Sequence, residues 1–65
     1  SYFEKALKLK ANSADIYYGL GVAYYYLSKF SEARQYFQKA KKIFQDQKNY
    51  KAVQEIEGYL KYIPQ

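Results

Sequence analysis

The sequence predicts an all-α fold of about four helices arranged as antiparallel hairpins. Three observations carry this. Tyr2-Phe3-Glu4-Lys5-Ala6 returns as Tyr36-Phe37-Gln38-Lys39-Ala40, an offset of 34 residues, and beyond it Lys8 matches Lys42 and Leu9 matches Ile43. Residues 1–10 and 35–44 therefore read as the same helix in successive repeats. Apolar side chains recur every three to four positions, and no segment alternates with the period of two that marks a half-buried strand.

The first helix is expected over about Ser1–Lys10. Asn12 and Ser13 are expected to break it, and either can cap the next helix by accepting a bond from a free backbone N–H. The second helix is expected over about Ala14–Ser28, with Ile16, Leu20, Ala23, Tyr24 and Leu27 on one face as its core stripe. Ser31 is a candidate cap for the third, which runs to about Gln45 with Ala33, Phe37, Ala40 and Phe44 facing inward. After the polar stretch Asp46-Gln47-Lys48-Asn49, the fourth helix is expected over Tyr50–Ile63, its inner line being Val53, Ile56, Leu60 and Ile63. Pro64 would not extend it. Connections this short make neighbouring helices antiparallel.

At 65 residues the chain is one small domain or part of a larger one, and such a domain buries only about 60% of its unfolded surface. With neither Cys nor His, disulfides and the usual zinc sites are excluded, and no cofactor or metal is expected. No apolar run is long enough to span a membrane, and nothing resembles a signal peptide. The cytoplasm is the default expectation for location. Ser1 in place of Met suggests a chain cut from a longer one. A net charge of +5 favours acidic partners. Ten Tyr and four Phe with no Trp are more aromatic surface than a core this small can hide.

The second and third helices together resemble a tetratricopeptide-repeat (TPR) unit. The residues that carry the resemblance are Tyr17, Leu20-Gly21 and Tyr24, followed by Ala33, Phe37 and Ala40. Their spacings agree with the family pattern, and the 34-residue offset is the family period. The resemblance implies an α-solenoid fragment. Residues 1–13 would be the second helix of a preceding unit plus its turn, 14–47 a complete unit, and 48–65 a C-terminal capping helix that lacks a Leu-Gly pair. Gln45 and Ala11 stand where the family often has Pro, so both helix ends are expected to be less sharply terminated.

The physical reason for the motif is close packing. Gly inside a helix costs about 1 kcal/mol against Ala, so Gly21 implies that the paired helix approaches closely, as Ala33 and Ala40 also allow. Tyr17, Leu20, Tyr24 and Phe37 fill the space between helices. Gly19 is a second interior glycine, where a ligand or neighbouring backbone could come close. Repeat units cannot bury their apolar faces alone, so Tyr2, Phe3 and Leu7 in the unpaired first helix are expected to seek a partner surface, including a second copy of the chain.

The resemblance also implies a function: first helices of successive units line a concave groove that holds peptides. The second helix would present Asp15, Tyr18, Val22, Tyr25, Tyr26 and Lys29 there. Tyr suits a binding surface because it offers large contact area with few rotors and a polar tip. The competing reading is that these tyrosines pack on adjacent helices, the fourth included. Some family members grip a C-terminal carboxylate with Lys, Asn and Arg. The corresponding positions here are Tyr18, Gly19 and Val22, so that ligand class is not expected. Arg34, Lys41 and Gln45, with Lys39 and Lys42 nearby, read as a solvated outer face.

Catalysis is disfavoured by inventory. There is no Gly-rich phosphate loop, Glu55 and Glu57 point to different sides of a helix, and Ser28 and Ser31 have no neighbouring base. Single-stranded nucleic-acid binding by Lys and Tyr is a minor alternative, opposed by the spread of basic residues and by Asp15 on the aromatic stripe. A structural spacer or homo-oligomerisation module is a further alternative. No helix segregates Lys against a broad apolar face as membrane-surface helices do.

Overall fold

The computed structural model describes the backbone of residues 2–64 and the side chains of residues 13–64. Three helices follow one another: α1 (Tyr2–Tyr26), α2 (Phe30–Asp46) and α3 (Tyr50–Tyr62). No strand occurs among the described residues. The count is three and not four because the turn expected near Asn12-Ser13 is absent: one helix runs from Tyr2 through both residues to Tyr26. Asn and Ser disfavour a helix interior by no more than about 0.7 kcal/mol each. Neither Gly nor Pro occurs before Gly19 to stop the helix outright. The helix end expected at Ala11 is therefore missing altogether, and Asn12 and Ser13 lie inside the helix. The expected docking of Tyr2, Phe3 and Leu7 lies outside the described side chains.

The C-terminal ends of α1 and α2 share one construction. Ser28 and Lys48 adopt left-handed conformations, φ 61° and 60°. The Ser28 and Lys29 amides donate back to the carbonyls of Tyr25 and Tyr24. Lys48 and Asn49 repeat this with Gln45 and Phe44. This is the Schellman arrangement, here closed by non-glycine residues. It stops α2 sharply without a proline near Gln45. The next helix starts at once in each case, from Lys29 (φ −90°, ψ 75°) and Asn49 (φ −88°, ψ 77°). Asn49 Oδ1 accepts from the Ala52 amide at 3.3 Å, whereas Lys29 supplies no side-chain acceptor. Ser31, expected to cap α2, lies inside it.

α2 packs against both α1 and α3. The buried core comprises Ala14, Ala33, Phe37, Ala40, Phe44, Val53, Ile56 and Ile63. The inner lines expected for α2 and α3 are as built, Leu60 being half-buried. For α1 the expected core stripe holds only in part, since Tyr24 packs against the core. Ile16 is 53% and Leu27 65% exposed, Ala23 is exposed, and Leu20 and Tyr24 are half-buried. The contact line runs instead through Ala14 and Gly21, two turns apart and both buried. A Cβ on Gly21 would lie 2.7 Å from Phe37 Cδ1. Apolar side chains surround α1 too evenly to reveal its inner face. Small size, not apolarity, marks where the neighbouring helix comes closest.

The radius of gyration is 12.4 Å, above the roughly 11 Å of a compact domain this long. The longest dimension, 42 Å, follows the undivided α1, since 25 helical residues span about 37 Å.

Candidate peptide-docking face

α1 and α3 both lean on α2 and meet each other through aromatic rings. Tyr59 stacks on Phe37 with ring centroids 5.0 Å apart. It meets Tyr25 edge-on at 5.2 Å and Tyr18 at 6.2 Å. Tyr25 also meets Phe30 at 5.8 Å and Tyr26 at 5.3 Å, each near a right angle. Edge-to-face pairs of this kind add about 0.5–1.5 kcal/mol beyond area burial. The Tyr18 hydroxyl donates to Glu55 Oε2 across the helix gap, at 3.4 Å.

These contacts shift two phenols. Burial pushes the Tyr18 hydroxyl up to about 12, helped by the adjacent Tyr59 and Glu55. Burial first, then neighbouring Tyr26, raises Tyr59 as well. Both groups are held protonated by a site that disfavours added negative charge.

The six residues expected to bind a partner divide into two sets. Tyr18, Val22 and Tyr25 are half-buried and pack against the core, while Asp15, Tyr26 and Lys29 are exposed. Tyr26 is 72% exposed. The motif residues are placed between α1 and α2: Gly21, Ala33, Phe37 and Ala40 are buried, and Tyr17, Leu20 and Tyr24 half-buried. On that flank Tyr36 stacks on Tyr24 at 5.5 Å and on Tyr17 at 6.0 Å. Lys39 Nζ sits 5.6 Å from the Tyr17 ring centre. Gly19 has no atom near enough to explain it.

The sequence reading missed the contribution of α3. Glu55, Gly58, Tyr59 and Tyr62 face Tyr25 and Tyr26 across an open hollow of about 260 Å³. The signal was present: positions 55, 58, 59 and 62 form a helical stripe beside the core line of α3. Arg34, read as solvated, donates to the Pro64 carbonyl and clasps the end of α3. Lys41, Lys42, Gln38 and Gln45 border a separate polar hollow on the outer side of α2.

Antiparallel helices closed by small residues, with a tyrosine-rich face left open, define a helical-repeat interaction scaffold. The tetratricopeptide-repeat family model matches residues 14–47, more than half of the chain, and the chain belongs to that family. Repeats of this family are protein–protein interaction modules. No curated protein and no solved structure matches the chain. Among the described residues, no helix is long and apolar enough to cross a membrane.

Proposed function

We propose that the chain is a non-catalytic scaffold that docks a peptide or partner helix across the open face between α1 and α3. Residues 14–47 supply the repeat, 1–13 continue α1 from the second helix of a preceding unit, and 48–65 cap the stack. The observation that carries this reading is the hollow bordered by Tyr25, Tyr26, Tyr59 and Tyr62. It concentrates the residue type most used at binding hot spots. The expected contact set is Tyr26, supported from below by Tyr18, Val22 and Tyr25; Asp15 and Lys29 are exposed on or just beyond the same helix but lie outside the hollow. Truncating Tyr18 or Tyr25 would disturb packing as well as recognition, so Tyr26 is the cleaner probe. Tyr26→Ala is expected to weaken partner binding by about 1–2 kcal/mol with thermal unfolding little changed. NMR shift mapping with a candidate partner should place the response on Tyr25, Tyr26 and Tyr59. A response confined to the Tyr17–Tyr36 flank would remove this face from consideration.

One observation favours a second reading, self-association. Ile16 and Leu27 are more than half exposed on the side of α1 away from α2, as a stack lacking its preceding pair would leave them. A second copy could cover that stripe. Sedimentation that shows only a monomer at all concentrations would rule this out.

A further inference from the structure

The hollow between α1 and α3 has an unusual lining. Four of its six residues are tyrosines, Gly58 forms part of its floor, and Glu55 is its one charged group. No described Lys or Arg borders it, although the chain carries +5 overall. Tyr25 stands nearly perpendicular to both Tyr26 and Tyr59, at 86° and 75°, so ring faces and edges are presented from different directions. Aromatic faces are negative and attract cations. Among the described residues, the Glu55 carboxylate has the Tyr18 hydroxyl at 3.4 Å and no cationic partner. The raised Tyr18 phenol reports the same field, since burial and then Tyr59 and Glu55 oppose its ionisation.

We propose that this hollow is an aromatic cage for a methylated ammonium group, carried on a lysine side chain of the docked partner. The inference rests on the docking face proposed above and names the chemistry recognised there. Three features select this ligand. The rings and Glu55 require positive charge. The volume, about 260 Å³, falls below the roughly 300 Å³ at which sites for whole drug-sized molecules begin, and suits one side-chain head. The walls are mostly apolar ring carbon, with the Glu55 carboxylate and the tyrosine hydroxyls as their polar groups, too few and too spread to satisfy every N–H of an unmodified head. An unmodified ammonium needs acceptors for three N–H groups, and guanidinium for five. A trimethylated ammonium needs none. Gly58 keeps the floor open: no atom lies within 4 Å of where its Cβ would be, so a larger side chain there would occupy the hollow without a clash.

The test is an NMR titration of the chain with tetramethylammonium and, separately, with tert-butanol, its neutral counterpart of similar shape. Short Gly/Ser peptides carrying one trimethyllysine or one unmodified lysine follow. Saturable shifts at Gly58, Tyr59 and Tyr62 are expected with tetramethylammonium and with the trimethyllysine peptide. Glu55→Gln should weaken tetramethylammonium binding by roughly fivefold, and Tyr62→Ala by roughly three- to tenfold. Gly58→Leu should abolish the shifts while far-UV circular dichroism stays helical. Equal response to tert-butanol would overturn the cation preference, equal response to the unmodified lysine peptide would overturn the methyl preference, and no saturable shift at Gly58 would overturn the cage. Failure of the docking reading is distinct: the small cation would still bind, but Tyr26→Ala would leave partner affinity unchanged. Failure of the cage alone would leave partner shifts on this face while the cation gives none.

Discussion

The three helical glycines behave differently because their surroundings differ. At Gly21 a methyl group would meet the Phe37 ring at 2.7 Å, and that ring is held by Tyr59 behind it. Overpacking of this sort costs about 1–3 kcal/mol, which outweighs the gain of about 1 kcal/mol from replacing a helical glycine. Gly21→Ala should therefore lower the urea midpoint, with a net loss of up to about 2 kcal/mol. Gly19 and Gly58 face open space. Gly19→Ala and Gly58→Ala should each raise stability by up to about 1 kcal/mol. Opposite signs at Gly21 and Gly19 in one denaturation series would confirm the close contact, and equal signs would refute it.

The helix ends invite a second comparison. Lys29 and Asn49 hold nearly the same backbone angles, yet Asn49 alone satisfies an amide of the following helix with its side chain. Lys29→Asn should copy that cap and stabilise α2 by about 0.5–1 kcal/mol. Lys48→Gly should relieve a left-handed non-glycine residue and contribute a similar amount, about 0.5–1 kcal/mol. Thermal midpoints of the two single variants and the double would test both, with additivity expected because the sites close different helices.

Between elements, α3 is joined to α1 by the Tyr18–Tyr59–Glu55 contacts. The Tyr18 phenol, lifted to about 12 mainly by burial and then by Tyr59 and Glu55, makes this junction pH-sensitive. The folded state keeps its proton where the unfolded chain, with an ordinary phenol near about 10, has lost it. The stabilisation that this difference supports is fully present below pH 10 and declines as pH rises from there to about 12. NMR titration of the Tyr18 ring carbon should show a midpoint near 12. Glu55→Gln should move it down, because the carboxylate contributes to the rise. An unchanged midpoint in that variant would mean that Glu55 does not act on Tyr18.

The whole molecule is elongated because α1 is undivided. In a longer repeat array, residues 1–10 would belong to the pair before the 14–47 unit. Here residues 2–10 are part of the undivided α1, and Ile16 and Leu27 are exposed. If that stripe self-associates, Leu27→Lys should shift sedimentation toward a smaller species while leaving the unfolding transition of dilute protein nearly unchanged. Surface substitutions away from packed features usually change stability by less than about 0.5 kcal/mol. A large destabilisation would show that Leu27 supports the fold within one chain.

The period of 34 residues, the helical character of every segment and the inner lines of α2 and α3 were legible in the residues alone. They depend on local spacing, and α2 and α3 each carry one clear apolar line. The motif Leu20-Gly21, Tyr24, Ala33, Phe37 and Ala40 likewise identified the repeat. The inner face of α1 was not legible, because Ile16, Leu20 and Leu27 look as suitable for burial as Tyr18, Val22 and Tyr25. Only the position of Phe37 against Gly21 selects between them. The fusion at Asn12-Ser13 was equally undetermined, since a few tenths of a kcal/mol per residue do not decide whether a helix stops or continues. The hollow is non-local as well. Its tyrosines come from positions some thirty residues apart, and they meet because α1 and α3 both pack on the face of α2 that carries Phe37.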